Sequence, residues 1–369
     1  MPDTLGIYIH VPFCSPGKCP YCDFYSVPLT AALAERYLEA AERCLREWGA
    51  RAAGRAVDTV YLGGGTPSLL GDGLCRLLSA VREAFDIAQN AEITLEANPG
   101  SVEAGAFARW RAAGFNRVSL GMQSAVPEEL CALGRRHTPR QVEEAVRAAR
   151  AAGFANLSLD LMLCTPGQTP ESMRRSIGFA AALAPEHISA YLLKVEEGTP
   201  FFLQKNSLRL PDDDAQAEAY LSACRELERR GYEQYEISNF ARPGFASRHN
   251  LRYWNTDEYL GVGPAAHSFF NGQRFHYERS LPAFLSGAAP VPDGAGGTLE
   301  EYVMLRLRLS EGLWESALRE RFGADFSLFG SRPEALAQGG LLTRAPGRIA
   351  LTARGFLVSN AVIGSLLFG

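Results

Sequence analysis

Over the first two-thirds of this chain, short apolar runs alternate with longer helical patterns. That alternation restricts the fold more than any other feature. Gly6–Val11, Thr59–Leu62, Ile93–Glu96, Arg117–Leu120, Leu157–Leu161 and Ile188–Leu192 read as strands, each followed by polar or glycine-rich residues. Thr30–Trp48, Gly73–Phe85, Val102–Ala113, Gln141–Ala152, Pro170–Ala182 and Ala215–Arg230 read as helices. Two strands follow an Ala-Gly-Phe helix stop, at Gly114 and Gly153, where glycine suits a left-handed cap. Such alternation implies parallel strands covered by helices. Six strands with no evident seventh or eighth predict an α/β architecture, an incomplete (β/α)6 TIM-like barrel open on one side. A doubly wound open sheet is the competing arrangement.

The first strand runs into HVPFCSPGKCPYCDFYS, which holds Cys14, Cys19 and Cys22. The cysteines therefore fall on a loop at a strand's C-terminal end, where barrel enzymes place their chemistry. Three thiolates can hold three irons of a cubane iron–sulfur cluster and leave the fourth open to a small molecule. A disulfide framework fits poorly. Eight cysteines are scattered through 369 residues, and the N-terminus lacks the basic and long apolar regions of a secretory signal. Zinc, with His10 as a fourth ligand, is the alternative that spacing alone leaves open. Cysteine usage and the missing signal predict a reducing cytoplasm.

A net charge of −4 gives no electrostatic footprint for nucleic acid. No apolar run spans a bilayer, since Phe356–Phe368 is broken by Ser359, Asn360 and Gly364. Peripheral contact with a membrane remains compatible with the sequence. Past Arg230 the pattern changes. We read 1–235 as the barrel, 236–297 as a connecting segment, with Pro282–Gly297 a Gly/Pro/Ala-rich linker, and 298–369 as a winged-helix-like α+β domain. That last domain carries eight arginines against seven acids, which favours a structural or protein-contact role over DNA binding.

Polar residues end the successive strands. The second ends in Gly63-Gly64-Gly65-Thr66-Pro67, where glycines allow close approach of a ligand to the backbone. It is not a P-loop, because no Gly-Lys-Ser/Thr follows. The third ends in Glu96-Ala97-Asn98-Pro99, the fourth in Gly121-Met122-Gln123-Ser124, and the fifth carries Asp160. Any one of them can be a cap or a satisfied core group. Four together predict a shared mouth.

With these motifs in place, the chain resembles the radical S-adenosylmethionine (SAM) family, on its coproporphyrinogen III oxidase-like branch. The stretches that carry the likeness are YIHVPFC…CPYCDF, GGGTPSLL, TLEANPGS, FNRVSLGMQS, LGRRHT, DLMLCTPGQT, YEISNFARPG, SRHNLRYW and YLGVGPAAHSF, from Tyr8 to Phe269. The resemblance implies a barrel of the radical SAM type. It implies a [4Fe–4S] cluster on Cys14, Cys19 and Cys22, with SAM chelating the fourth iron and an electron donor as partner. Gly64, Gly65 and Thr66 would meet the methionine amino end. Glu96, Gln123, Arg135 and Asp160 would hold the rest of SAM, and Tyr8 and Tyr21 would border the cluster and adenine. Arg135 suits a carboxylate as a planar, permanently charged donor. Without the resemblance it reads as a solvated arginine beside Arg136.

One departure stands out. The family has three residues between its first two cysteines, and this chain has Ser15, Pro16, Gly17 and Lys18. The branch itself holds two functions. One is an oxygen-independent oxidase that decarboxylates two propionates of coproporphyrinogen III through a 5′-deoxyadenosyl radical. The other is a heme chaperone that passes heme to an acceptor protein. Two features favour the chaperone. The oxidase has a further cysteine where this chain has Phe24, and a long N-terminal segment where Tyr8 lies near the start. The HNxxYW segment, with His249, Asn250, Tyr253 and Trp254, resembles the signature of the heme-binding members. Histidine is a common axial ligand and aromatic rings pack on porphyrin. His267 and His276 are weaker heme candidates, and Arg252 suits a propionate.

Overall fold

The computed structural model describes residues 4–15, 17–103 and 105–369. Pro16, one of the four residues between Cys14 and Cys19, therefore lies outside the described residues. The six expected strands form and are parallel neighbours in order: β1 (Thr4–Val11), β2 (Ala56–Gly64), β3 (Asp86–Ala97), β4 (Arg117–Gln123), β5 (Asn156–Leu163) and β6 (His187–Leu192). Their apolar residues, among them Ile7, Ile9, Val60, Leu62, Leu95, Leu120, Leu159 and Ile188, are buried. This is the continuous hydrophobicity that strands covered on both faces require.

The intervening helices start and stop where their caps dictate. α1 (Ala31–Arg51) begins at Thr30, whose Oγ1 accepts from Leu33 N. α2 is Gly73–Ala84 and α3 is Ala106–Ala113. α4 (Pro139–Ala151) and α5 (Pro170–Ala182) each begin with a capping box, at Thr138 with Gln141 and at Thr169 with Ser172. α3 and α4 end on the two Ala-Gly-Phe signals. Gly114 (φ 110°) and Gly153 (φ 91°) are left-handed, and the next amides, Phe115 N and Phe154 N, return to the carbonyls of Trp110 and Ala149. α6 (Asp213–Arg229) follows β6.

Two expectations past Arg230 need correction. A seventh parallel strand exists: β9 (Tyr259–Val262) pairs with β1 on the side away from β2, with Gly6 opposite Tyr259. Its four residues include a glycine and give no periodicity to read. The sheet also continues antiparallel at both ends, through β7 (Glu233–Gln234) and β8 (Asn239–Ala241) beside β6, and β10 (His267–Phe270), β11 (Gln273–His276) and β12 (Val291–Ala295) beside β9. The order is β12-β11-β10-β9-β1-β2-β3-β4-β5-β6-β8-β7, so β12 and β7 stand at opposite ends and the sheet is open. Second, Pro282–Gly297 is not a bare linker, because it completes the helix Leu281–Leu285 and supplies edge strand β12. Pro292 sits on that edge strand, where a missing amide is tolerated.

Between β8 and β9 lies α7 (Arg248–Asn255), which carries the HNxxYW residues and is capped by Ser247. The C-terminal region holds α8 (Leu299–Arg306) and α9 (Glu315–Phe322), with a small sheet of order β13-β15-β14, formed by β13 (Leu313–Trp314), β14 (Leu342–Ala345) and β15 (Arg348–Leu351). Its apolar residues Tyr302, Val303, Leu307 and Leu366 join the same buried cluster as Leu5 and Ile7. No helix among the described residues is long and apolar enough to cross a membrane.

Candidate functional site

Parallel pairing fixes where the mouth lies, because every strand from β1 to β6 delivers its C-terminal end to one rim. At the end of β1 the chain forms a two-residue parallel bridge, Phe13–Cys14 with Val27–Pro28, that closes the cysteine loop at its base. Cys14, Cys19 and Cys22 are free and half-buried. Cys22 N donates to Cys19 O at 3.1 Å, and Cys14 Sγ lies 3.7 Å from Thr66 Oγ1. The Cys22 thiol is pushed up by burial and, more weakly, by Cys19 and Cys14, while Lys18 pulls it down. The three thiols thus share one electrostatic neighbourhood. Three unpaired cysteines on one loop fit a cubane with an open iron.

His10 does not supply a fourth ligand. Its Nδ1 is 3.0 Å from Tyr8 OH and its Nε2 is 2.9 Å from Tyr25 O, and the ring is buried. Burial lowers its pKa to about 4. The imidazole braces the cysteine loop from below, and the zinc arrangement loses its fourth donor.

The glycine turn is more occupied than its sequence suggests. Gly65 N donates to Val11 O, Thr66 N to Phe13 O, and Gly64 N to Glu96 Oε2. A Cβ at Gly65 would stand 2.5 Å from Phe13 O, and one at Gly64 (φ 111°) would stand 2.7 Å from the His10 ring. These glycines let the chain approach itself. All three amides are spent inside the fold.

Glu96, Asp160, Gln123 and Arg135 gather at the same rim. Glu96 accepts from Tyr61 OH at 2.8 Å, and burial, then the Asp160 charge, push its pKa to about 7 against the pull of Tyr61 and Gly64 N. Asp160 accepts from Ser119 Oγ (3.0 Å) and Ser189 Oγ (2.8 Å), and burial raises its pKa. Gln123 is buried with φ 65°, next to a register shift between Leu120 and Gln123. Arg135 is not solvated: Nε and Nη2 donate to Tyr21 OH at 3.1 and 2.7 Å, and Arg136 is the exposed neighbour. Tyr21 thereby couples the cysteine loop to the arginine. Tyr8 lies between His10 and the Tyr61 ring, 6.2 Å away. Asn98 Oδ1 and Thr94 Oγ1 are buried without partners.

Three residues that sequence reasoning passed over complete the rim. Tyr61 orients Glu96, and Ser119 and Ser189 orient Asp160. Their signal was a lone polar residue inside an otherwise apolar strand, meaningful only once register placed Ser189 opposite Asp160.

The HNxxYW segment, expected to contact heme, is packed into the sheet behind Tyr8 and Tyr61. His249 N donates to Glu92 Oε1 on β3. His249 is 1% exposed. Its Nδ1 is 2.9 Å from Thr59 Oγ1, its Nε2 is 2.8 Å from Tyr253 OH, and the ring stacks on Tyr61 at 5.2 Å and 26°. Burial and then Arg252 lower its pKa to about 3. Arg252 is equally committed, to Asp58, Thr59 and Thr4. Asn250 N is bonded to the Ser247 cap, while Tyr253 and Trp254 are half-buried. This helix plugs the base of the sheet, and neither His249 nor Arg252 offers a free atom to a porphyrin.

Comparison with known proteins agrees with this geometry. The radical SAM superfamily matches residues 8–180, and the HemN C-terminal domain matches 298–358. The heme chaperone HemW of Mycobacterium tuberculosis is 40% identical, over 98% of this chain and 94% of its own length. HemW of Bacillus subtilis is 35% identical over 98% of each chain. HemW of Escherichia coli is 42% identical over 71% of this chain and 69% of its own. Among solved structures, the radical SAM enzyme coproporphyrinogen III oxidase (HemN) from Escherichia coli superposes with a TM-score of 0.86 at 24% identity, covering 100% of this chain and 91% of that one. That likeness establishes the shared fold, with its incomplete barrel and C-terminal domain.

Proposed function

Because this chain belongs to the HemW group of the radical SAM superfamily, we propose that it is a heme chaperone, carrying a [4Fe–4S] cluster and SAM and delivering heme to an acceptor protein. The observation that carries the reading is the likeness to HemW over almost the whole chain, joined to three unpaired cysteines at the mouth of the barrel. Cys14, Cys19 and Cys22 hold the cluster, which when bound supplies an open iron for the amino and carboxylate groups of SAM.

The chain's own residues do the rest. The Gly64–Thr66 turn receives the ammonium of SAM through carbonyl oxygens. Arg135, aimed by Tyr21, offers a fixed guanidinium to a carboxylate. Asp160, held by two serines, accepts from ribose hydroxyls. Glu96 is buried beside it with a pKa near neutrality, and so can hold or release a proton at Oε1 or Oε2. Tyr8 and Tyr21 wall the cluster and adenine, and Gln123 closes the rim. Heme is bound outside the His249 plug.

The test uses anaerobically purified protein. Brown protein with iron and sulfide in equal amounts is expected, lost when Cys14, Cys19 and Cys22 become serine. Hemin should give a saturable Soret band and then move to an apo-heme protein such as apomyoglobin. Colourless protein would sink the cluster. Conversion of coproporphyrinogen III with release of CO2, without hemin binding, would replace the chaperone with the oxidase.

A further inference from the structure

Three strands at one edge of the main sheet assemble a second set of ligand atoms, separate from the cysteine loop. His267 opens β10 and His276 closes β11, and the two are direct cross-strand partners. Such partners project from one face of the sheet. β12 pairs with β11 through Ala295, Gly294, Pro292 and Val291, so Asp293 alone is left without a partner, in a bulge between Gly294 and Pro292. A bulge re-aims a side chain. Here it turns the Asp293 carboxylate onto both imidazoles: His276 Nδ1 is 2.7 Å from Oδ1 and His267 Nδ1 is 3.6 Å from Oδ2. The two rings stack at 5.0 Å and 28°. One ligand atom from each of the three residues lies within 4.8 Å of the others.

The remaining histidines contrast with this pair. His10, His187 and His249 are buried with both ring nitrogens bonded. His137 is buried against Met122 O. Of the chain's six histidines, only His267 and His276 present their rings toward solvent.

We propose that His267, His276 and Asp293 bind a divalent transition-metal ion of the Zn2+ class. Two imidazoles and one carboxylate suit a borderline cation such as Zn2+ or Co2+, whereas Mg2+ and Ca2+ prefer oxygen ligands. The ion ties edge strand β12, whose five residues are all exposed, to the β10–β11 hairpin. Its outer positions stay open to water or to a ligand from another molecule. The site also adjoins the cysteine loop through the chain, since Arg279, three residues beyond His276, pairs with Asp23 at 3.2 Å.

The test is a Co2+ titration of the full, cluster-loaded chain, read from the d–d absorption bands, followed by Zn2+ displacement. One Co2+ per chain is expected beyond the cluster iron. His276→Ala and Asp293→Asn should each weaken binding by more than about tenfold. The triple Cys14→Ser, Cys19→Ser, Cys22→Ser protein should bind Co2+ as the parent does. Zn2+ should raise the melting temperature of the parent and leave that of His276→Ala unchanged. Absence of saturable binding, equal affinity in both variants, or loss of the site in the cysteine variant would each overturn the proposal. Displacement of Co2+ by one equivalent of hemin would also overturn it and assign the pair to heme iron.

Discussion

Replacing His249 with alanine separates a structural plug from a heme ligand. In the fold its imidazole bridges two hydroxyls, Thr59 Oγ1 and Tyr253 OH, and stacks between aromatic rings. A neutral imidazole has one donor and one acceptor, and each hydroxyl can play the complementary role. Truncation leaves Tyr253 OH without that partner, at about 1–3 kcal/mol. Thr59 retains Arg252 Nε. Loss of the contacts with Tyr61 and Tyr253 adds about 0.5–1.5 kcal/mol for each ring. His249→Ala should therefore cost about 2–6 kcal/mol in urea unfolding at pH 7.5. The pH dependence carries the same signature. The folded pKa of about 3 lies below the ordinary value near 6.5, so the unfolded chain takes up a proton that the native chain refuses. The histidine's contribution is present above about pH 6.5 and is lost as pH falls toward 3. The alanine variant should show a shallower loss between pH 6 and 4, and its hemin Soret band at pH 7.5 should match the parent's. A variant as stable as the parent but unable to bind hemin would refute the plug.

Other residues give equally direct checks. Gly65→Ala drives a Cβ against the Phe13 carbonyl, one residue before Cys14, and rigid backbone cannot yield cheaply. It should lower reconstituted iron and sulfide content and cost about 1–3 kcal/mol, and normal cluster loading would contradict the packing. Tyr21→Phe removes the hydroxyl that aims Arg135, so SAM affinity measured calorimetrically on cluster-loaded protein should fall by about tenfold, the equivalent of one hydrogen bond. An unchanged affinity would remove Arg135 from the site. Glu236 is buried, and burial pushes its pKa to about 7. A carboxyl raised in the fold stabilises below its unfolded pKa, and that contribution is lost as pH rises through 7. Glu236→Gln should thus gain about 1–3 kcal/mol at pH 8 and almost nothing at pH 4, and parallel pH profiles would exclude the assignment.

Much of this protein was legible because its signals are local. Continuous apolar runs, helical periodicity and Ala-Gly-Phe stops depend on neighbours within a few residues, and they located all six barrel strands and their helices. Three cysteines within nine positions share one loop whatever the rest of the chain does. The four-residue strand β9 carries too short a pattern to read, and a Gly/Pro-rich stretch reads as linker until an edge strand needs it.

The site divides along the same line. Residue type and strand position nominated Glu96, Gln123 and Asp160, since a strand's C-terminal end in a parallel sheet has one destination. Tyr61, Ser119 and Ser189, which aim them, emerged only with register. His249 shows the limit most clearly. An exposed ligand and a buried plug can have the same motif, because sequence records the donor atoms and tertiary packing decides whether they are already spent. The same packing set Asp293 beside His267 and His276, seventeen and more residues away, through one bulge at the sheet's edge.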